Sequence, residues 1–298
     1  MNIEHNLAFA AAVLMANVMP AYGQASIEAW LSTKQPIVIA HRSADINGHP
    51  ENSLAWIEAA IAAGIDMIHL NPQQTADDGY VLMHDPTLNR TTDVQEVYPT
   101  GAPAGPSRVA RGGKDFVRDY TLAAITSLNL DGTTGQVPTL SEGLETAKGK
   151  IMVMLGLKSY EVESLSSVLA KHDTDNLVLM ELYYSGTDQS KLRTLSEATG
   201  IPIMIGLYNT RDAAKDLEDV AAQLGPMLKA VNVKSVRITP EFSKRADELG
   251  VIINISGWNG PEDSALSRNN DITLWEASSA VAIGKITDYP LSLIEARN

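Results

Sequence analysis

Two histidines in the first third of the chain have neighbours that suit acid–base chemistry. His41 is followed by Arg42, and His84 is followed by Asp85. One imidazole can take a proton from a nucleophile while the other gives a proton to the leaving oxygen. The guanidinium of Arg42 presents planar donors that match phosphate oxygens. Together these residues indicate phosphoryl or acyl transfer, whereas either histidine alone would also fit a structural role at the end of a strand.

Eight short apolar runs are predicted to be the strands that position these side chains. They are rich in Val, Ile, Leu and Met, as expected for parallel strands that are covered on both faces. Amphipathic stretches lie between them, and this alternation favours a closed (β/α)8 TIM barrel over an open doubly wound sheet. The carboxyl ends of barrel strands share one face, so His41 and His84, each at the end of a strand run, are expected to meet there. The predicted strands are Ile37–Ala40, Met67–Leu70, Ile151–Leu157, Leu177–Leu182, Ile203–Leu207, Ala230–Val233, Val251–Ile255 and Ala282–Ile286, and the predicted helices are Ser53–Ala63, Glu161–Lys171, Asp188–Ala198, Ala213–Leu224 and Pro240–Leu249.

The composition is that of a globular protein with an acidic surface. The 298 residues are 44% hydrophobic, carry a formal net charge of −13 and include no cysteine. The negative charge argues against nucleic acid or an anionic membrane as a partner. A small-molecule substrate is expected instead, and a phosphate in it would have to meet locally placed cations. Without cysteine the chain has neither disulfides nor thiolate metal ligands.

The N-terminus is predicted to be a signal peptide over residues 1–23. Residues 7–21 are almost wholly apolar, and the small residues Ala21 and Gly23 suit a signal-peptidase site. This predicts a periplasmic or secreted protein whose residues 24–298 form a single barrel domain. The apolar run is short of the roughly 20 residues that span a bilayer, so no transmembrane anchor is expected after processing. The leader lacks Lys and Arg and contains Glu4, which leaves a buried or disordered N-terminal helix as the alternative.

Residues 94–118 interrupt the alternation of strands and helices. This stretch is rich in Gly, Pro and Ala and is predicted to be a long loop, a small insertion after the second strand. Long loops inside compact domains are often functional, and a disordered surface insertion is the alternative. Its cations Arg108, Arg111 and Lys114 could add positive charge to a site.

Five motifs along the chain fit one known family. The chain reads AHRS at 40–43, PENS at 50–53 and HDPTLNRTT at 84–92, followed by VPTLSE at 137–142 and ITDYP at 286–290. These strings resemble the glycerophosphodiester phosphodiesterase family, in the superfamily of phospholipase-C-like phosphodiesterases, and the likeness covers nearly everything from residue 36 onward. The resemblance implies a barrel whose active site lies at the carboxyl ends of the strands. It also implies that His41 and His84 are the catalytic pair, and that the residues supporting phosphate and metal in relatives correspond here to Arg42, Glu51, Asn52 and Lys158.

The positions at which this family holds calcium or magnesium have lost their three carboxylates. His69 and Asn71 replace the acidic pair of the second strand, and Gly156 replaces the third acid. Hard cations prefer several anionic oxygens, so no metal cofactor is expected and a divalent cation is the disfavoured alternative. His69 and Asn71 share one strand face and are predicted to bind substrate, although together they could hold a softer metal weakly.

Two further departures concern the substrate pocket. Ser43 stands where the family usually has Gly, and Ser256 where it usually has Trp. The expected pocket wall is therefore in question.

Three functions fit this set of residues. The first is a metal-independent phosphodiester-cleaving enzyme, in which Arg42, Lys158 and a protonated His69 supply the positive field. Phosphoinositol-specific phospholipases resemble this scheme, since they use two histidines with an arginine in place of the metal and form a cyclic phosphate. The second is a lyase or hydrolase that protonates an ether or glycosidic oxygen with the same histidines. The third is an inactive periplasmic ligand-binding protein.

Overall fold

Eight parallel strands close into a barrel in the part of the chain that the computed structural model describes, residues 25–130 and 132–297. The strands are β1 (Ile37–Ala40), β2 (Met67–Leu70), β3 (Pro72–Gln74), β4 (Tyr80–Leu82), β5 (Met152–Leu157), β6 (Leu177–Glu181), β7 (Ile203–Gly206), β8 (Leu228–Val233), β9 (Ile252–Ser256) and β10 (Gly284–Thr287). The order around the barrel is β1-β2-β5-β6-β7-β8-β9-β10, and β3 and β4 form a separate antiparallel hairpin. The predicted (β/α)8 barrel is confirmed, and each of the eight predicted strands is one strand of the barrel.

Most helices cover the outside of the barrel between successive strands, but the first precedes β1 and packs through Ile27 and Trp30 against the side chains inside the barrel. They are α1 (Ile27–Thr33), α2 (Leu54–Ala62), α3 (Val94–Val97), α4 (Leu122–Thr126), α5 (Leu140–Ala147), α6 (Val162–Leu169), α7 (Ser190–Thr199), α8 (Ala213–Leu224), α9 (Pro240–Leu249), α10 (Pro261–Asn269), α11 (Thr273–Ser278) and α12 (Pro290–Arg297). The five predicted helices correspond to α2, α6, α7, α8 and α9. Ser53 begins α2 by accepting a hydrogen bond from the backbone N–H of Trp56 at 3.0 Å, which satisfies a donor that the helix end leaves free.

Alternation along each strand sorts the apolar side chains into two layers. One set packs inside the barrel and includes Ile39, Met67, Met154, Met180 and Met204. The intervening residues pack between the strands and the surrounding helices. Because side chains on a strand alternate with a period of two, the residue that follows an inward-facing position by two also points toward the barrel axis.

The insertion consists mostly of turns and irregular backbone with a few short helical turns. Residues 94–118 contain α3 and short 3-10 helices, and Val94 and Val117 are buried in an apolar cluster of their own. Two of its cations are paired within the segment: Arg108 donates to buried Asp115 at 2.7 Å, and Arg111 forms a two-point ion pair with Asp119.

The predicted signal peptide lies outside the described residues. Among the helices of the described part, none combines the length and the apolar character needed to cross a bilayer.

Candidate active site

His41 is held at the barrel mouth by a carboxylate on the neighbouring strand. Ala40 pairs with Thr287 in the β1–β10 register, so the residues that follow, His41 and Asp288, lie side by side. The Nδ1 of His41 lies 2.7 Å from Asp288 Oδ1, and the hydroxyl of Ser43 donates to the same oxygen at 2.7 Å. A carboxylate can only accept, so the imidazole proton sits on Nδ1 and Nε2 keeps its lone pair in the neutral ring. The pKa of Asp288 is lowered: burial raises it, but the bonds from His41 and Ser43 outweigh burial.

His84 follows β4 and is oriented in the same manner. Its Nδ1 lies 2.7 Å from Asp85 Oδ1, which again leaves Nε2 as the basic nitrogen. Burial, together with the positive charges of Lys158 and Arg42, lowers the pKa of His84 to about 4, against the raising effect of Asp85. His84 is therefore neutral at neutral pH and able to accept a proton.

A continuous chain of hydrogen bonds and ion pairs runs from this histidine to Arg42. Asp85 bonds His84 with one oxygen and the Nε of Arg90 with the other. Arg90 also donates to Glu51, whose second oxygen accepts from Arg42 at 2.7 Å. Glu51 is thus held between two guanidinium groups, and Arg42 and His84 are fixed relative to each other.

Lys158 adds a second cation beside the histidines. It follows β5, and its Nζ donates to the backbone carbonyl of His84 at 2.7 Å. Burial, together with the charge of Arg42, lowers its pKa to about 8, so most of the ammonium groups are charged at neutral pH. In the part of the chain described, no carboxylate forms an ion pair with Lys158, so its charge is available to an anion.

His69 and Asn71 lie on the inner face of the barrel, next to Gly156. The Nδ2 of Asn71 is 3.1 Å from His69 Nε2 and 3.3 Å from the Gly156 carbonyl oxygen. A carbonyl only accepts, so this atom is the amide NH2, and His69 Nε2 accepts from it. The pKa of His69 is well below its usual value because the ring is buried and because the charges of His41 and His84 act on it. His69 is neutral, so the expectation that it supplies positive charge is wrong.

Asn52 joins the first helix of the site to the second barrel strand. It adopts φ 61° and is buried, and its side-chain oxygen accepts from the backbone N–H of Asn71 at 2.9 Å. Its Nδ2, the Nε of Arg42 and the Nδ1 of His69 are buried donors without a protein partner among the described residues. All three suit an acceptor such as a phosphate oxygen.

The residues at the family's metal positions do not fit calcium or magnesium. A Cβ at residue 156 would lie 2.1 Å from His69 Nε2, so the imidazole fills the space that a third carboxylate would need. What remains is one imidazole and one amide, without the anionic oxygens that hard cations require. Across residues 25–130 and 132–297, no group of three or more His, Asp or Glu side chains is placed to hold a metal ion.

An aromatic wall completes the mouth of the barrel. β9 ends at buried Ser256, and two residues later the indole of Trp258 stacks on His41, with ring centroids 5.1 Å apart and planes 11° apart. Tyr208 meets Trp258 edge-on at 5.6 Å and Tyr183 meets Tyr208 at 6.2 Å. Ser256 replaces the usual Trp of the family, but the pocket still has an aromatic wall, because Trp258 supplies the ring.

The structure brings the predicted site residues together at one end of the barrel. The sequence reasoning assigned no role to Asp288, Arg90 or Lys234. Asp288 and Arg90 lie inside the quoted motifs ITDYP and HDPTLNRTT, which was the available signal. Lys234 follows β8 and belongs to none of the motifs. Only its position could have indicated a role in the site, because it lies two residues after an inward-facing strand position.

Known proteins share both the sequence pattern and the fold. A model of the glycerophosphoryl diester phosphodiesterase family matches residues 41–263. A glycerophosphodiester phosphodiesterase of Caldanaerobacter subterraneus is 30% identical over 171 residues, 52% of this chain and 62% of that protein, which is less than two thirds of its length. One of Bacillus subtilis is 25% identical over 240 residues, 70% of this chain and 74% of that protein.

Solved structures share the barrel. A glycerophosphoryl diester phosphodiesterase of Parabacteroides distasonis has a TM-score of 0.67 at 23% identity, with 92% of each chain covered. A phosphodiesterase of Oleispira antarctica, solved in complex with the product sn-glycerol-3-phosphate, has a TM-score of 0.64 at 18% identity, covering 89% of this chain and 98% of that one. At these identities the likeness shows the fold.

Fold and site together define a (β/α)8-barrel protein with two carboxylate-held histidines at the carboxyl mouth of its barrel. The family match is more specific. The chain belongs to the glycerophosphoryl diester phosphodiesterase family, as its motifs predict.

Proposed function

We propose that the protein cleaves phosphodiesters of the glycerophosphodiester type without a bound metal ion. The observation that carries this proposal is a pair of imidazoles, His41 and His84, each with Nδ1 held by a carboxylate at 2.7 Å. Such a bond fixes the ring and its tautomer, so that Nε2 is the nitrogen that exchanges protons. Two histidines prepared in this way can serve the two ends of one displacement at phosphorus.

The two rings divide the proton transfers. Neutral His84 takes a proton from the attacking water or hydroxyl group. The oxygen of that attacking group forms a bond to phosphorus. The bond from phosphorus to the leaving oxygen breaks, and that oxygen receives the proton that His41 carries, since Asp288 stabilises the imidazolium. The products are an alcohol and a phosphate monoester when water attacks, or a cyclic phosphate when a hydroxyl of the substrate attacks.

Protein cations stabilise the negative charge on the phosphoryl oxygens. Arg42 and Lys158 both act on the pKa of His84, so both lie within electrostatic reach of the reacting groups. What lowers the barrier is preorganised positive charge near the developing charge, whether an ion or a side chain provides it. The unpartnered donors of Asn52 and His69 add neutral hydrogen bonds to the same oxygens.

The test is an assay of purified protein on glycerophosphodiesters and on an aryl phosphodiester, with and without EDTA. Activity is expected to survive the chelator. His84→Ala and His41→Ala should each lower kcat by about 10²-fold or more, the usual contribution of a general acid or base. His172→Ala is the matched control, because that histidine pairs with Glu145 away from the barrel mouth. Phosphorus NMR of the product distinguishes a cyclic phosphate from a monoester.

Two outcomes would overturn the proposal. Loss of activity in EDTA with recovery on added calcium or magnesium would show that a metal is required. Absence of turnover on every phosphodiester would show that the protein does not catalyse the proposed reaction. Turnover of an ether or glycoside would then indicate the lyase or hydrolase, and ligand binding without turnover would indicate the binding protein.

A further inference from the structure

Lys234 is a further cation at the barrel mouth, in addition to Arg42 and Lys158, and the proposed cleavage step does not use it. It follows β8, and its Nζ donates to the backbone carbonyl of Trp258. The same Nζ lies 4.1 Å from the centroid of the Trp258 ring and 5.9 Å from that of Tyr208. Because Trp258 stacks on His41, its ring lies between the ammonium of Lys234 and His41, the proposed proton donor.

The charge of Lys234 is not neutralised by direct contact. Within the described residues it has no ion pair, and an ammonium with three N–H donors has one hydrogen-bond acceptor there, a carbonyl. Burial lowers its pKa, and the charges of Glu262, Asp263 and Asp288 oppose that effect from a greater distance. Lys234 therefore presents a half-buried positive charge with hydrogen-bond donors to spare.

Lys158 and Lys234 lie on different sides of His41, the histidine that follows β1. In the ring of strands, β5 lies two places from β1 through β2, whereas β8 lies three places away through β10 and β9. Lys158 is the cation that acts on His84, and Lys234 is grouped with Trp258 and Tyr208 on the other side. The two cations thus suit two separate anionic groups of one substrate.

The ammonium of Lys234 lies against the aromatic wall and excludes substrates with a cationic headgroup there. A quaternary ammonium such as choline binds on the face of an electron-rich ring. Here the ammonium of Lys234 already lies over Trp258, so a cationic headgroup would meet a like charge. An anionic group would instead gain a charge-assisted hydrogen bond.

From this geometry, and resting on the proposed function, we infer that the preferred substrate is a phosphodiester whose alcohol portion carries a second negative charge. That charge is a carboxylate or a phosphate, and Lys234 binds it against Trp258. Lys234 thereby sets substrate specificity, while His41, His84, Arg42 and Lys158 act on the scissile phosphate.

Two matched pairs of substrates test this inference. Glycerophosphoserine differs from glycerophosphoethanolamine by one carboxylate, and glycerophosphoinositol 4-phosphate differs from glycerophosphoinositol by one phosphate. For at least one pair, kcat/KM is expected to favour the anionic member by about tenfold, as one charge-assisted hydrogen bond provides. The pair that shows the preference identifies which anion is bound.

Variants of one lysine then assign the preference. Lys234→Met should abolish it by lowering kcat/KM for the anionic member alone, and Lys234→Arg should restore most of it. Lys229→Met is the matched control, since Lys229 lies at the opposite end of the same strand. The inference fails if the wild-type protein shows no preference in either pair, or if Lys234→Met lowers kcat/KM for both members equally, which would assign Lys234 to holding Trp258 in place.

Binding separates this inference from the proposed function. If none of the four diesters is cleaved, the proposed function has failed. Their affinities for the intact protein and for Lys234→Met, measured by titration calorimetry, then give the same comparison without turnover.

Discussion

The imidazole of His69 lies where a side chain on residue 156 would lie. A Cβ added to Gly156 would be 2.1 Å from His69 Nε2 and 2.7 Å from Asn71 Nδ2. The three replacements of family carboxylates, by His69, Asn71 and Gly156, therefore depend on one another through packing. The imidazole fits because residue 156 has no side chain, and an acid at 156 would require the imidazole to leave.

The first prediction follows from this packing. Gly156→Glu alone should lower the free energy of unfolding by about 3 kcal/mol, because it overpacks the barrel and buries a charge beside a neutral ring. The triple variant His69→Glu, Asn71→Asp, Gly156→Glu removes the clash and restores three anionic oxygen ligands. It should bind calcium, which will appear as a rise in melting temperature on adding the ion.

The control for that variant is His69→Gln with Gly156→Gln, which has similar volume and no added charge. It should not respond to calcium. An equal calcium response in wild-type protein would mean that a divalent ion already binds at these positions, contrary to the argument from residue type.

The second prediction concerns the pH dependence of kcat/KM. His84 must be neutral to accept a proton, and its pKa of about 4 places the acid limb near pH 4, below which it becomes charged and activity falls. Lys158 must be charged to stabilise the phosphate, and its pKa of about 8 means that its charge is lost above about pH 8, where activity falls. The proposed acid, His41, must also carry a proton, so both groups act on the alkaline limb. A rate profile from pH 3 to pH 10 should therefore be bell-shaped.

Lys158→Arg tests the alkaline limb. Arginine stays protonated throughout this range, so the part of the alkaline fall that Lys158 causes should disappear, while the acid limb stays in place. An alkaline limb unchanged in Lys158→Arg would assign that titration to another group.

The regular parts of the fold could be predicted because their signals are local. An apolar run such as Met67–Leu70 and a long amphipathic stretch such as Ala213–Leu224 carry their own periodicity. The insertion could not be predicted in the same way. Its helix α3 has four residues, too few for a periodic pattern, and the bond from Arg108 to buried Asp115 depends on tertiary packing.

The site was predictable only where strand ends or motifs pointed to it. His41 and Lys158 follow predicted strands, so barrel topology alone brings them to one face. Asp288 lies 247 residues from the ring that it holds, and their contact follows from the pairing of β1 with β10, which closes the barrel. The neutrality of His69 required knowledge of its burial and of its bond from Asn71, neither of which residue type reveals.

The third prediction concerns the carboxylate behind His41. Asp288→Asn keeps the size of the side chain but removes the charge that fixes the imidazole proton on Nδ1. The value of kcat should fall by about 10²-fold or more with little change in KM, since the residue acts through His41. Ser43→Gly removes a supporting donor to Asp288 and should cost about tenfold or less.

Asp271→Asn is the control for this substitution, because Asp271 caps an exposed turn. A fall in kcat for Asp288→Asn that only matches the fall for Asp271→Asn would contradict an orienting role. Circular dichroism of each variant separates loss of function from loss of fold.

The fourth prediction concerns Arg90, which joins the two halves of the site. Its guanidinium bonds Asp85 and Glu51, so Arg90→Met should remove one partner from each carboxylate and loosen His84 and Arg42 together. The expected result is a fall in kcat/KM of about tenfold to a hundredfold with a stability loss of about 1 kcal/mol or less, since partly exposed ion pairs contribute little to folding.

The matched control is Arg193→Met, which removes a guanidinium that bonds Glu197 on the surface of α7. Arg193→Met should lose no more stability than Arg90→Met and should leave kcat/KM unchanged. A double variant, Arg90→Met with Glu51→Gln, tests whether Arg90 acts through Glu51. If Arg90 acts by holding Glu51 between two cations, the second substitution should add less than its effect in the wild-type background, because residues that share one chain of bonds are not additive. Fully additive effects would mean that Arg90 contacts the substrate independently of Glu51.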